Sequence, residues 1–305
     1  MHDQIKPERK MNLPKSLFII LVPVLLSCGG CSKVTFGYNH ADWLLRYWVT
    51  DYTSFNAEQE AEIRLEAAAY MHWHRETALP EYIAFLQNLA ALVDRDVALS
   101  AGDVIRFRAE SGRLYRMTMA PFIRPAAHVL STLDRRQIDE LRDTLADRNR
   151  KQKKELLFDS AQENLIMRAE RHVDNVERLV GHLSGEQEEK ITEMSLRIPF
   201  ATSYYIEQRE AKQASLISLL NDHAGEAEIA ALFRQWIDTP EVSRSAQQQH
   251  AIEAYESAMN EMTARIFELL TPRQRDHLRK KIASYIDDFQ QLHSATPARE
   301  PRLAE

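Results

Sequence analysis

Cysteine is almost missing from this chain. Cys28 and Cys31, in the N-terminal stretch LVPVLLSCGGCSKV, are the only two. No disulfide can form beyond Cys31, so whatever folds there must be stable on its own core. A redox CxxC belongs at a helix start inside a βαβ fold, and a zinc site needs further ligands at matched spacing; neither context surrounds this pair. Glycine is scarce too. Outside CGGC there are only Gly37, Gly102, Gly112, Gly181, Gly185 and Gly225, which argues against a turn-rich β fold. No GxGxxG or GxxxxGK[ST] phosphate cradle is present. Positive charge is not in excess either. The chain carries 39 basic and 45 acidic residues, which excludes a general nucleic-acid binder. Finally, no apolar run approaches the roughly 20 residues that a membrane-spanning helix needs.

What is present starts at the N-terminus. Polar residues with Lys6, Arg9, Lys10 and Lys15 precede ten apolar residues, Leu17 to Leu26, and the small Ser27. A basic region, a short apolar region and a small residue describe a secretory signal over residues 1–27, with Met11 an alternative start to Met1. A cysteine directly after it reads as a lipoprotein acylation site, with lipid and palmitate on the new N-terminus. Leu25, Leu26 and Ser27 before Cys28 favour Cys28 as the attachment residue; Cys31 is the alternative. Residues 28–38 then form a lipidated N-terminus and short tether, 39–293 a helical periplasmic domain, and 294–305 a flexible tail. Without the signal the chain holds 35 basic and 43 acidic residues.

The domain reads as all-α. Ile252, Tyr255, Met259, Met262, Ile266 and Leu269 recur by threes and fours, as do Leu278, Ile282, Tyr285, Phe289 and Leu292. Such stripes bury one helix face against a neighbour, and a period near 3.5 favours shallow, coiled-coil-like antiparallel crossing. The expectation is an elongated bundle of seven to ten long amphipathic helices, with kinks at Pro121, Pro125 and Pro199.

Four times an apolar residue precedes a capping residue with Gln three places on: Phe55-Asn56…Gln59, Leu133-Asp134…Gln137, Leu183-Ser184…Gln187 and Leu270-Thr271…Gln274. Each predicts a capping box. The short side chain accepts from a free N–H of the first turn, and the Gln reaches back to the cap. The pattern resembles the LTxxQ motif of small periplasmic helical chaperones, matched in full by Leu270-Thr271-Pro272-Arg273-Gln274. A broader resemblance rests on GCSKVTFGYNHADWLLRYWVTDYTSFNAEQ, HWHRETALPEY, RNRKQKKELL and RLVGHLSGEQ. Together these resemble a family of Gram-negative helical lipoproteins defined only as a domain of unknown function, the matching positions being Tyr38, Asp42, Trp43, Trp48 and Gln59. Aligned that way the lipidated residue is Cys31. The residue after the acylated cysteine is Gly29 or Ser32, not the Asp that retains lipoproteins in the inner membrane, so the resemblance implies the periplasmic face of the outer membrane.

Catalytic signatures are weak. None of the eleven histidines has Glu three places before it, and neither HExxH nor GxSxG occurs. His72 and His74 stand about 200° apart on a helix and cannot clamp one ion; with Arg75 and Glu76 they are candidates to line a cleft, or else form a helix surface beside a buried Trp73. Arg124 and Tyr204, next to proline kinks, are candidates for a pocket. Trp43 and Trp48, with Tyr47 and Tyr52, are expected to plug the bundle, the alternative being the lipid headgroup level, and Asp42 is expected to cap their helix. The basic block Arg148 to Glu155 reads as a solvated face. No metal or cofactor is expected. The sequence therefore points to a non-catalytic scaffold, adaptor or chaperone-like protein, membrane-held through its lipid, with an envelope protein as partner. The competing reading is a helical enzyme or metal-binding sensor using the His72–Glu76 region.

Overall fold

The computed structural model describes residue 35 and residues 37–95 and 98–295. Cys28, Cys31, residues 1–27, where a signal is expected, and residues 296–305 lie outside the described residues. Within them are twelve α-helices and no strand. They are α1 (Ala41–Thr50), α2 (Ala57–Trp73), α3 (Leu79–Val93), α4 (Ala101–Met119), α5 (Ile123–Ser131), α6 (Arg135–Leu156), α7 (Ala161–Val180), α8 (Gly185–Arg197), α9 (Thr202–Asn221), α10 (Glu226–Asp238), α11 (Ala246–Leu269) and α12 (Pro272–Ser294). This exceeds the seven to ten expected. Helices α4, α7, α10 and α11 start at Ser100, Ser160, Gly225 and Ser245, whose N3 partners are Asp103, Glu163, Glu228 and Gln248, outside the apolar-cap-x-x-Gln pattern. Only α6, α11 and α12 exceed 20 residues, at 22, 24 and 23.

Proline sets several breaks. Pro121 occupies a 3₁₀ turn, Ala120–Phe122, between α4 and α5, with Pro125 in the first turn of α5. Pro199 follows the extended Ile198 that ends α8. Pro80 acts differently. It has no N–H, and its ring crowds the carbonyl four residues back. Between α2 and α3 the chain passes through a π-turn, His74–Ala78, closed by Leu79 N–H to His74 O, so the helix runs on past the proline. At the end of α7, Gly181 takes φ 84°, a left-handed position that glycine occupies without steric penalty.

The helices pack pairwise: α3 along α12, α7 on α8, α5 on α10, α6 on α9, α4 on α11 and α1 on α2. One core cluster centres on Val180, Leu183, Ile191, Phe267, Leu270 and Ile282. Another centres on Ile123, Ile138, Leu141, Leu216, Leu220 and Ile229. Both predicted stripes face inward; Ile252, Met262, Ile282, Tyr285 and Leu292 are buried. Arg168 is buried as well and closes the end of α8, donating to the carbonyls of Ser195, Ile198 and Pro199.

All four predicted capping boxes form, and the structure adds what their sequence did not announce. The four glutamines are buried and meet in two pairs. Gln187 Nε2 donates to Gln274 Oε1 at 2.8 Å, and Gln274 Nε2 donates back to Gln187 Oε1 at 2.9 Å. Each also reaches a carbonyl two residues before the other's cap, Leu269 O and His182 O, both at 2.8 Å. Gln59 and Gln137 repeat the arrangement, with reciprocal amide bonds of 3.3 and 2.7 Å and donations to Thr132 O and Ser54 O. Each oxygen therefore accepts from its own cap N–H and from its partner, and each nitrogen donates to its partner and to a carbonyl, with Thr132 Oγ1 a further acceptor 3.0 Å from Gln59 Nε2, so no amide valence is left over. Asp or Glu at N3 serves a cap equally well but has no N–H to give, and two carboxylates face to face would repel. Hence Gln at all four buried positions, whereas the boxes at Asp103 and Glu228 stand alone.

Replacing one member of a pair forfeits a cap worth about 1 kcal/mol and strands its buried partner at about 1–3 kcal/mol. Gln187→Met and Gln274→Met are each expected to lower unfolding free energy by about 2–4 kcal/mol. The double variant should cost less than their sum, with a coupling of about 1–2 kcal/mol measured by urea denaturation. Gln248→Met, at a box that pairs with no second glutamine, should cost under about 1 kcal/mol; simple additivity at 187 and 274 would refute the paired-amide account.

Candidate functional site

The π-turn organises the one dense polar and aromatic constellation that includes predicted site residues. On an uninterrupted helix His74 and Arg75 would leave the axis in set directions; the extra residue of the π-turn resets that register, a device often found at functional positions. His74 is 3 % exposed and Tyr38, Tyr70 and Tyr82 surround it, each ring centroid 5.6–5.7 Å away, with Trp73 at 6.4 Å. Its Nδ1 lies 2.9 Å from Tyr38 Oη, and its Nε2 has no hydrogen-bond partner among the described residues. Tyr82 Oη bonds Thr118 Oγ1, and Tyr70 Oη donates to Thr118 O at 3.4 Å. The expected order is inverted here: His74 is buried and Trp73 is half-buried.

Arg75 ties both ends of the described body to this point. It donates to Leu292 O at 2.8 Å and to Asn39 Oδ1 at 3.3 Å, and it stacks on the Tyr38 ring. His293 Nδ1 lies 3.0 Å from Arg75 O. Tyr38 is itself buried, in a cluster with Leu79, Tyr285 and Leu292. Tyr38, the last residue of the expected 28–38 tether, is thus packed against the helical body.

Burial, followed by the nearby Arg75 charge, lowers the His74 pKa to about 4. The tyrosine faces attract a cation by about 2 kcal/mol at best, and the desolvation of an imidazolium outweighs that. Burial likewise raises Tyr38, Tyr70 and Tyr82. The site thus holds a neutral imidazole among neutral phenols.

The other predicted residues go elsewhere. His72 is exposed and 3.3 Å from Glu76. Arg124 is exposed beside Glu226, which also meets His128. Tyr204 Oη accepts from Gln247. The structure therefore brings together His74 and Arg75 but not His72, Arg124 and Tyr204. Among the described residues no three His, Cys, Asp or Glu side chains gather in a way that could hold a metal ion. Sequence reasoning missed a second histidine pair: the half-buried His172 has its Nδ1 2.8 Å from Ser195 Oγ, with Ser195 wholly buried. Its signal was a three-dimensional one, two residues on adjacent helices under Arg168. A cavity of about 110 Å³ near Lys212, Trp236 and Ser243 has room for a few waters.

Helix α1 departs most from expectation. Its N-cap is His40, and Asp42 lies inside the first turn without a capping bond; the chain turns into the helix two residues earlier, where the Tyr38 anchorage begins. Leu45 faces Ala67 and Tyr70. Trp43 and Tyr47, expected in the core, are 54 % and 47 % exposed and stack at 5.6 Å. The basic block is largely paired: Arg148 bonds Asp51 and lies over Tyr52, Lys153 meets Glu210, and Arg150 meets Asp147.

An all-α protein with its polar groups organised around paired helix starts and a π-turn is the class these features define. The chain belongs to a family of unknown function, DUF6279, whose model matches residues 51–236. No curated protein and no solved structure matches the chain. The family match ends within α10, whereas α11 and α12 complete the packing: Gln274 pairs with Gln187, and α12 lies along α3.

The His74 environment predicts a specific pH response. Because its pKa is lower folded than unfolded, the unfolded chain binds the extra proton between pH 6.5 and about 4. This group's stabilising contribution is complete above pH 6.5 and is lost as pH falls toward 4, by up to about 3 kcal/mol. Urea titrations from pH 7.5 to 4.5 should show a shallower loss in His74→Gln than in the parent; parallel curves would show that His74 is not the titrating group.

Proposed function

We propose that this is a lipoprotein of the cell envelope, held at the periplasmic face of the outer membrane by acylation of Cys28 or Cys31. Its helical body works by surface contact, as a scaffold, adaptor or chaperone-like binding protein. The anchoring half rests on the basic, apolar, small-residue order that ends in Ser27 ahead of two cysteines. No described helix is long and apolar enough to cross a membrane, so the acyl group is the membrane attachment this reading requires.

The observation that carries the binding half is the destination of the buried polar groups. Gln59, Gln137, Gln187 and Gln274 join helix starts, Arg168 closes a helix end, and His74 and Arg75 fasten the two ends of the described body. Each of these buried side chains holds architecture. The fully matched LTPRQ sequence is part of one glutamine pair, which gives it a structural role in this chain. What this body offers a partner is its outer faces, where Ile105 and Ile166 are exposed and suited to helix-face contact.

Mass measurement of the mature N-terminal peptide tests the first half. The expected peptide begins at Cys28 or Cys31 and carries acyl chains; a mature chain that still contains residues 1–27, or an unmodified cysteine, would sink the anchoring. For the second half, photo-crosslinking residues placed at Ile105 and Ile166 in the native envelope should give discrete protein adducts. Recovery of the uncrosslinked chain alone from both positions would count against a scaffold.

A further inference from the structure

We infer that the outer face of α1 is a membrane-docking surface, with Trp43 and Tyr47 seated at the headgroup level of the bilayer that holds the lipid anchor. This rests on the anchoring proposed above, but the geometry carries it further. Trp43 and Tyr47 are one helical turn apart, and among the described residues no other two exposed large side chains stack ring on ring. A soluble helix would place such a pair inward. Here Leu45 does the inward packing, and the larger aromatic surface is turned outward.

The exposure is not the result of a loose helix, because α1 is fixed at both ends. Before it, Tyr38 is buried and bonded to His74. After it, Thr53 Oγ1 donates to Gln137 O at 3.0 Å, and Ser54 N–H donates to Glu140 Oε2 at 2.8 Å. The aromatic pair is thus presented rigidly, which lowers the ordering cost of binding.

Distance selects the occupant. From Cys31 to the buried Tyr38 the chain spans seven residues, and even fully extended it reaches about 25 Å; from Cys28 the limit is about 35 Å. Acyl chains that close to Tyr38 put α1, which begins three residues later, beside the bilayer surface. Trp and Tyr are the side chains whose apolar rings and single polar handles suit that layer. A short tether, a fixed helix and an outward Trp–Tyr stack converge on a lipid surface.

The test uses the full mature chain in vesicles of phosphatidylethanolamine and phosphatidylglycerol, with bromines placed either near the glycerol end or near the methyl end of the acyl chains. Tryptophan emission should be quenched chiefly by the glycerol-end bromines. Trp43→Phe should lose that quenched component, while Trp73→Phe and Trp236→Phe retain it; circular dichroism checks that each variant is folded. An acylated protein whose quenching is absent, or unchanged in Trp43→Phe, would overturn the docking and leave the anchoring intact. The Cys28→Ser/Cys31→Ser double variant, added to the same vesicles, separates the two readings. Trp43-dependent quenching without acylation supports docking even if the anchoring reading fails, and its absence in an unacylated native protein would overturn docking as well.

Discussion

Where Gln187 meets Gln274, and Gln59 meets Gln137, one amide caps its own helix and at the same time completes its neighbour's helix start. The two pairs connect positions 87 and 78 residues apart in the chain, and the long helices are placed from them. Helix α2 leaves one pair and ends at the π-turn. Helix α12 leaves the other pair and ends at the same turn, where Arg75 holds Leu292 O. The π-turn is therefore the point where elements placed by separate glutamine pairs are brought into register. Apolar burial supplies most of the free energy, but a smooth stripe of Leu and Ile can slide by a turn. A buried amide pair with every valence satisfied cannot do so without leaving donors and acceptors unbonded.

The same logic explains why His74 is tolerated in the interior. An imidazole inside a ring of tyrosines has one good bond, to Tyr38, and burial keeps it neutral. Its neighbour Arg75 lies at the edge of the cluster, where it donates to a carbonyl at the end of α12, a favourable position for a cation. Adjacent residues thus divide the work. His74 secures the entering segment, and Arg75 secures both that segment and the departing helix.

Much of this was legible in the sequence, and the limits have physical causes. The helical class and the inward stripes of α11 and α12 follow from periodicity. The capping boxes follow from local chemistry, since a cap and its N3 partner are three residues apart. The pairing of the boxes was not legible, because it depends on contacts across most of a hundred residues, yet a trace of it was there: four boxes join an apolar residue before the cap to Gln at N3, where Asp or Glu caps as well, whereas the unpaired Gln248 box follows Arg244. The π-turn was concealed by Pro80, which reads locally as a helix start and not as a site where a helix absorbs an extra residue. Trp43 was misplaced for a different reason. In WLLRYW both faces of the helix are apolar, so periodicity cannot say which one turns inward, and side-chain size pointed the wrong way. Of the predicted site residues, His74 and Arg75 adjoin through the π-turn. Arg124 and Tyr204 were linked only by nearby prolines, and proximity to a kink does not fix where a side chain ends up.

The attachment of Tyr38 and Leu292 to neighbouring residues of one turn has a mechanical consequence. The described chain enters and leaves its body at nearly the same place. A pull between the two ends would load the Tyr38–His74 and Arg75 contacts together with the apolar cluster of Tyr38, Leu79, Tyr285 and Leu292 around them, whereas both glutamine pairs involve residues outside that cluster. The body is in this respect a closed loop hung from a single clasp, and tension at its ends is borne first by that small polar and apolar cluster.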